Sequence, residues 1–302
     1  MKRIFMVMMA ALVSFQMFAQ TAEEYKARYE RLVAKLGHSG VGVEGILDKW
    51  AQVDSTDVDM LVARFQMYFD KARDSKIVDT DTRKHLGLDP ILTLKDSTGT
   101  NRYYFQVPVF DDELFGNAMR NIEKAIRFYP ERLDLRIDKA TALLAYETDS
   151  PDMTTEFLLS LIDEWNSGRH QWSYPEVEVD KVFFDQVIQE YCGTLFGIGT
   201  DKSRDSFRML AEKMLKTDKN NPEFLSDLGS YYVVKKDNKK AMKYYNKILK
   251  ATPDYYPAIK NCCTIAVNAK DVKLQKKYLP YLVKYGTEAE SVSAKARLAA
   301  LN

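Results

Sequence analysis

Almost the whole chain after about residue 21 is divided into short stretches whose apolar residues recur every three or four positions. In residues 22–36, for example, Tyr25, Tyr29, Leu32 and Leu36 fall on one face of a helix. Similar stretches occur at about 44–53, 58–73, 112–128, 132–147, 153–166, 178–197, 203–216, 221–235, 238–251, 255–268, 271–284 and 287–301. Because short polar turns separate them, the chain is predicted to form a series of helical hairpins, which is typical of repeat proteins.

Residues 222–255 contain the most specific pattern. Gly229 and Ala241 place one small residue in each helix of this hairpin, as the close approach of two antiparallel helices requires. The other matching positions fill the space between the helices or end the unit: Leu225, Leu228, Tyr232, Tyr245 and Pro253. Pro253 ends the second helix because proline has no backbone N–H to donate.

These seven positions resemble the 34-residue tetratricopeptide repeat. The unit from Tyr256 continues the resemblance, with Gln275 where a small residue is expected, and residues 112–147 match it moderately. Residues 287–301 resemble a helix that caps the array. The resemblance implies an all-α fold, an alpha-alpha superhelix or solenoid of TPR-like helical hairpins.

Two segments interrupt the helical pattern. In residues 89–110, two runs of β-favouring residues flank a turn sequence, Asp96-Ser97-Thr98-Gly99, so this segment is predicted to be a small inserted β-hairpin that ends at Pro108. Residues 167–177 form a loop too long for a simple helical turn, and such loops often have a function.

The first 20 residues have the layout of a secretory signal: Lys2 and Arg3, an apolar run, and small Ala19 near its end. The apolar run is too short to span a bilayer. We therefore expect cleavage after Ala19 or Gln20 and a periplasmic or secreted protein, with no transmembrane span and no nucleic acid partner. The predicted regions are the signal at 1–20, helical hairpins at 21–88, the β-hairpin at 89–110 and the repeat array at 111–302.

No residue pattern indicates catalysis, a metal site or a cofactor. A Gly-x-Gly-x-x-Gly match at residues 40–45 follows a helix, whereas a dinucleotide site needs a preceding strand. His38, His85 and His170 have no partner at a metal-ligand spacing. The three cysteines lack Cys-x-x-Cys spacing and are interpreted as buried packing residues: Cys192, Cys262 and Cys263.

The charge of the chain is polarised. Residues 201–302 contain 21 Lys and Arg against 11 Asp and Glu, a net charge of +10, whereas residues 21–200 contain 21 against 32, a net of −11. This favours an acidic partner for the C-terminal part, head-to-tail self-association, or an anionic surface. The alternative interpretation is that the lysines of residues 235–250 only coat solvated helix faces.

The resemblance implies a non-catalytic scaffold that binds a peptide or protein segment in a groove lined by the first helix of each hairpin. Carried over by position, the groove residues are Glu223, Ser226, Asp227, Ser230, Val233, Lys260, Asn261, Thr264 and Val267. Lys260 and Asn261 resemble groups that hold a peptide carboxylate or backbone. The alternative is a glycan- or small-ligand-binding module that uses the loop residues His170, Trp172 and Tyr174.

Overall fold

The structure is a computed structural model that describes residues 21–301. The predicted signal at residues 1–20 lies outside the described residues. Within them the chain forms thirteen helices and three strands. The helices are α1 (Ala22–Leu36), α2 (Val43–Val53), α3 (Val58–Ala72), α4 (Asp112–Phe128), α5 (Leu133–Glu147), α6 (Asp152–Asn166), α7 (Lys181–Ile198), α8 (Asp201–Thr217), α9 (Pro222–Val234), α10 (Asn238–Ala251), α11 (Tyr256–Asn268), α12 (Val272–Tyr285) and α13 (Glu288–Ala299). The strands are β1 (Arg73–Thr80), β2 (Leu92–Lys95) and β3 (Asn101–Phe110).

Polar side chains at the N-cap start most of these helices. Such a side chain accepts a hydrogen bond from a backbone N–H of the first turn, which has no partner within the helix. Asp111 accepts from the Leu114 N–H at the start of α4, and Asp237 accepts from the Lys240 N–H at the start of α10. The chain's short polar turns are therefore helix-start signals as well as connections.

Helices α7 to α13 form a continuous stack in which each helix packs against the next along the chain. The stack contains three hairpins. Their first helices are α7, α9 and α11, and their second helices are α8, α10 and α12. Helix α13 follows as a closing helix. The structure thus confirms an all-α array of helical hairpins, with a small β insertion, as the tetratricopeptide resemblance implies.

The most specific contact of the array lies between α9 and α10. Gly229 faces the fully buried ring of Tyr245, and a Cβ added at Gly229 would lie 2.5 Å from Tyr245 Cζ. Ala241, also fully buried, supplies the second small residue. The predicted roles of these residues in close helix packing are confirmed.

Gln275 occupies a buried position on α12 where the repeat pattern has a small residue. Its Oε1 accepts a hydrogen bond of 2.9 Å from Arg297 Nε of α13, and its Nε2 donates to the Ala266 carbonyl at 3.4 Å. These bonds satisfy the buried amide, which would otherwise destabilise the core. Gln275, which departs from the repeat pattern, therefore links the closing helix α13 to the rest of the array.

The predicted β-hairpin is present, with β2 antiparallel to β3 and Leu92 opposite Tyr104. Asp96 stabilises its turn by accepting hydrogen bonds from the backbone N–H groups of Thr98 and Thr100. Sequence analysis missed a third strand, β1, which joins the other side of β3 to give the order β1-β3-β2. Its sequence, RDSKIVDT, is mostly polar and exposed, so pairing with β3, rather than local propensity, makes it a strand.

The prediction that Pro108 ends the second strand is wrong, since β3 continues to Phe110. The register of β2 pairs it only with residues 101–104 of β3. Pro108 therefore lies beyond the part of β3 that pairs with β2, at an open edge of the sheet. A residue without a backbone N–H is tolerated at such an edge.

The described chain divides into two compact units. One comprises residues 21–76, 107–142 and 172–175, and the other comprises 77–106, 143–171 and 176–301. In the first, Phe69, Phe110 and Phe115 form an aromatic cluster with ring centres 5.5–6.3 Å apart. The core of the second includes large side chains from successive helices: Phe184, Phe207, Phe224, Tyr245 and Tyr278. The predicted regional boundaries stay a prediction.

None of the helices between residues 21 and 301 is both long and apolar enough to cross a membrane.

The contact of Gly229 with Tyr245 makes a direct prediction about stability. G229A should lower the free energy of unfolding by about 1–3 kcal/mol, because a methyl group overpacks a site where a buried ring cannot move away. The matched control is G193A on α7, where an added Cβ meets nothing within 4 Å. That variant should be about 0.5–1 kcal/mol more stable than wild type, because alanine favours helix. Urea denaturation of both variants measures the difference, and equal effects would contradict the packing argument.

Candidate functional site

The predicted groove residues lie on α9 and α11, the first helices of two successive hairpins. We call the side of the array formed by α7, α9, α11 and α13 the first-helix face. Four of the nine are exposed: Glu223, Val233, Lys260 and Thr264. The other five are half-buried: Ser226, Asp227, Ser230, Asn261 and Val267.

Asp227 forms the polar contact between α9 and α7. The Gln189 side chain of α7 hydrogen-bonds its carboxylate, while Asp227 Oδ2 is buried and has no hydrogen-bond partner among residues 21–301. Burial, together with the nearby charge of Glu223, raises the pKa of Asp227 to about 7. This carboxyl group therefore keeps its proton to a higher pH than an exposed aspartate does, and the proton gives it a hydrogen-bond donor as well as an acceptor.

A second polar contact joins α9, α10 and α11. The Tyr245 hydroxyl lies 3.3 Å from Ser230 Oγ and also hydrogen-bonds the Asn261 side chain. Burial raises the pKa of Tyr245 to about 12, so the hydroxyl remains a neutral donor and acceptor. Two predicted groove residues are thus connected through a tyrosine whose ring fills the core.

A third polar contact joins α11 to the closing helix α13. Tyr256 Oη donates to Glu290 Oε1 at 2.7 Å, and Lys260 Nζ lies 3.4 Å from the same oxygen. The hydrogen bond from Tyr256, with those from Thr287, lowers the pKa of Glu290 to about 2. Lys260, predicted to hold a peptide carboxylate, therefore has a carboxylate of this chain beside it, although its side chain is 57% exposed.

These three contacts form a polar row along the first-helix face, from Gln189 on α7 to Glu290 on α13. Lys260 is an exposed cationic donor of this row. Two further exposed groups lie on the same helices: the carboxylate of Glu223 and the hydroxyl of Thr264, which donates to the Lys260 carbonyl at 2.9 Å. Mixed donors and acceptors of this kind suit the backbone and polar side chains of a peptide.

Sequence analysis missed Gln189 and Glu290 as members of the row. Glu290 belongs to a capping box with Thr287, so its local pattern already had an explanation in helix capping. Gln189 had no local signal, because its role depends only on the packing of α7 against α9.

The three cysteines are buried, as predicted, and they are free thiols. Burial raises the pKa of the Cys262 thiol to about 12 and that of Cys263 to about 11. The thiol of Cys192, which lies near Asp227, has a pKa raised in the same way. All three therefore remain protonated and poorly nucleophilic at neutral pH.

Within residues 21–301 no group of three or more His, Cys, Asp or Glu side chains is placed to hold a metal ion. In the glycine-rich segment 40–45, residues 40–42 complete the turn from α1 and residues 43–45 begin α2; Gly42, at the N-cap, has a φ of 90°. His38 in the same turn lies with Nδ1 2.7 Å from the Tyr29 hydroxyl.

The loop at 167–177 holds its aromatic residues against protein atoms. The Arg136 guanidinium lies 4.8 Å from the ring centre of Trp172, and Ser173 exchanges backbone hydrogen bonds with Glu131 and Leu133. Trp172 and Tyr174 belong to the first compact unit and His170 to the second, and all three are half-buried. The ligand-binding role of this loop stays a prediction.

No family model matches the chain, and no curated protein matches it. One solved structure, titled "Functional Characterization of Pseudomonas Aeruginosa pilF", is 12% identical, with 91% of this chain and 99% of that chain covered and a TM-score of 0.36.

The pKa of Asp227 predicts a pH-dependent stability difference. Because the folded-state pKa lies above the ordinary value near 4, wild type loses stability as the pH rises from about 4 to 7. D227N cannot ionise, so its stability relative to wild type should increase by about 2–3 kcal/mol between pH 5 and pH 8. Urea denaturation at the two pH values measures this change.

The control is D89N, which removes an exposed carboxylate that pairs with Lys84. Because Lys84 holds the pKa of Asp89 below the ordinary aspartate value, the stability of D89N relative to wild type should change little between pH 5 and pH 8. If the stability difference between D227N and wild type were the same at both pH values, Asp227 would be ionised in the folded protein at both, and the prediction would be wrong.

Proposed function

We propose that this protein is a non-catalytic interaction scaffold of the bacterial cell envelope, and that its first-helix face binds a peptide or protein segment. The observation that carries the proposal is the polar row, which follows successive first helices and presents hydrogen-bonding groups at each of them. In solenoids of helical hairpins the first helices line the extended concave surface that binds partners.

The charges of this face indicate how a segment would be held. Glu223 and Asp227 lie toward one end of the row, and Lys260, with Glu290 beside it, lies toward the other. A segment that lies across the row would meet an acidic region first and a cation further along. Partner recognition would then depend on the orientation of the segment as well as on its composition.

The envelope location rests on the sequence of residues 1–20. Mass spectrometry of the mature protein from its own organism should find an N-terminus at Gln20 or Thr21. An intact Met1 in the mature protein would remove this part of the proposal and leave the scaffold part unaffected.

Binding on the first-helix face is tested with two exposed valines. V233E places a charge on α9 in the proposed interface, and V272E places the same charge on the second helix α12. Wild-type 21–302 is used to capture partners from an envelope extract, and the affinity of each purified partner is then measured by calorimetry. V233E should weaken binding about tenfold or more, because burying an unpaired charge costs more than 1 kcal/mol.

V272E should bind as wild type does, since it lies on a different face. Circular dichroism of both variants checks that they fold. Equal affinities for V233E and wild type would contradict the assignment of the interface.

A further inference from the structure

Helices α10 and α12 carry lysine on one side only. At 3.6 residues per turn, the five lysines of α10 fall within about 100° of its circumference, and the four of α12 fall within a similar arc. The nine residues are Lys239, Lys240, Lys243, Lys247 and Lys250 on α10, and Lys273, Lys276, Lys277 and Lys284 on α12. All nine are exposed, and the buried residues of both helices lie on their opposite sides. We call these nine residues the lysine face.

The two parts of the lysine face are neighbours. The Tyr278 hydroxyl of α12 donates to Asn246 Oδ1 of α10 at 2.6 Å, and Lys277 Nζ lies 3.3 Å from the same oxygen. Asn246 lies at the border of the α10 lysines, so the charged surface continues from one second helix to the next.

The charge of this face is largely uncompensated. Neither α10 nor α12 contains an Asp or Glu. Lys240 pairs with Asp237, whereas no described residue forms an ion pair with Lys239, Lys243, Lys250, Lys273 or Lys276. The preceding second helix α8 differs, because its Arg208 pairs with Glu212 and its Lys213 with Asp163. A charged coat needed only for solubility would not need to exclude acidic residues from two helices.

The composition of the face indicates what it binds. It contains lysine and no arginine, and lysine is a mobile point charge that lacks the planar fork with which arginine recognises a single carboxylate or phosphate. Half-buried tyrosine rings lie beside two of the lysines: Lys284 Nζ is 4.7 Å from the ring centre of Tyr285, and Lys240 Nζ is 5.0 Å from that of Tyr232. Lysine with tyrosine suits the headgroup layer of a bilayer, which offers many mobile anions.

We propose that the lysine face of α10 and α12 is a peripheral docking surface for an anionic phospholipid bilayer. The surface lies on second helices, so this binding goes beyond the proposed capture of a partner on the first-helix face.

The test measures co-sedimentation of purified 21–302 with vesicles of phosphatidylcholine alone and of phosphatidylcholine with added phosphatidylglycerol. Wild type should bind only the anionic vesicles and should be released at high salt. K239Q/K243Q/K250Q should lower the partition coefficient about 100-fold.

The matched control, K26Q/K84Q/K202Q, removes the same charge from lysines that are paired with Asp59, Asp89 and Asp152. It should bind the anionic vesicles nearly as well as wild type. Failure of wild type to bind these vesicles, or equal losses in the two triple variants, would overturn the proposal.

Sedimentation equilibrium of the same three proteins at low salt tests whether the lysine face binds a second copy of the chain instead of a bilayer. Concentration-dependent association that is lost in K239Q/K243Q/K250Q, without vesicle binding, would assign the lysine face to the acidic part of a second copy and overturn the lipid proposal. The two proposals fail separately, because V233E tests protein binding on the first-helix face and K239Q/K243Q/K250Q tests lipid binding on a second helix.

Discussion

The contact between Gly229 and the ring of Tyr245 sets the spacing of α9 and α10, and the other features of the array depend on it. With no side chain at residue 229, the tyrosine ring fills the seam and is completely buried. Its buried hydroxyl lies between α9 and α11, where it meets Ser230 and Asn261. One close approach thus packs the hairpin and also links two of the predicted groove residues.

The two sides of the array have different chemistry. First helices are held to one another partly by polar contacts such as Gln189 with Asp227 and Tyr256 with Glu290, which leave hydrogen-bonding groups along their face. The second helices α10 and α12 contribute apolar residues to the core, and their outer sides carry lysine. A peptide segment and an anionic bilayer would therefore bind on different sides without competing.

Asp227 lowers the stability of the array and lies in the proposed interface. A buried carboxylate oxygen without a partner costs folding free energy, and an asparagine at this position would avoid the part of that cost that comes from the charge. Functional surfaces often retain such groups, because a ligand that supplies the missing hydrogen bond recovers the cost on binding. The position of Asp227 in the proposed interface agrees with this interpretation.

The sequence by itself determined the helical hairpins, the roles of Gly229 and Ala241, the β-hairpin around Asp96 and the polarity of charge. Each of these follows from local periodicity, a turn sequence or composition, and the lysine faces are also visible from the period of α10 and α12. Only the tertiary structure decided that Gln189 meets Asp227, that Glu290 meets Lys260, and that the polar segment 73–80 becomes a strand. These outcomes depend on which elements pack together. Residues 30 to 38 positions apart, or a strand and its partner, meet only after the intervening helices and turns have set their geometry.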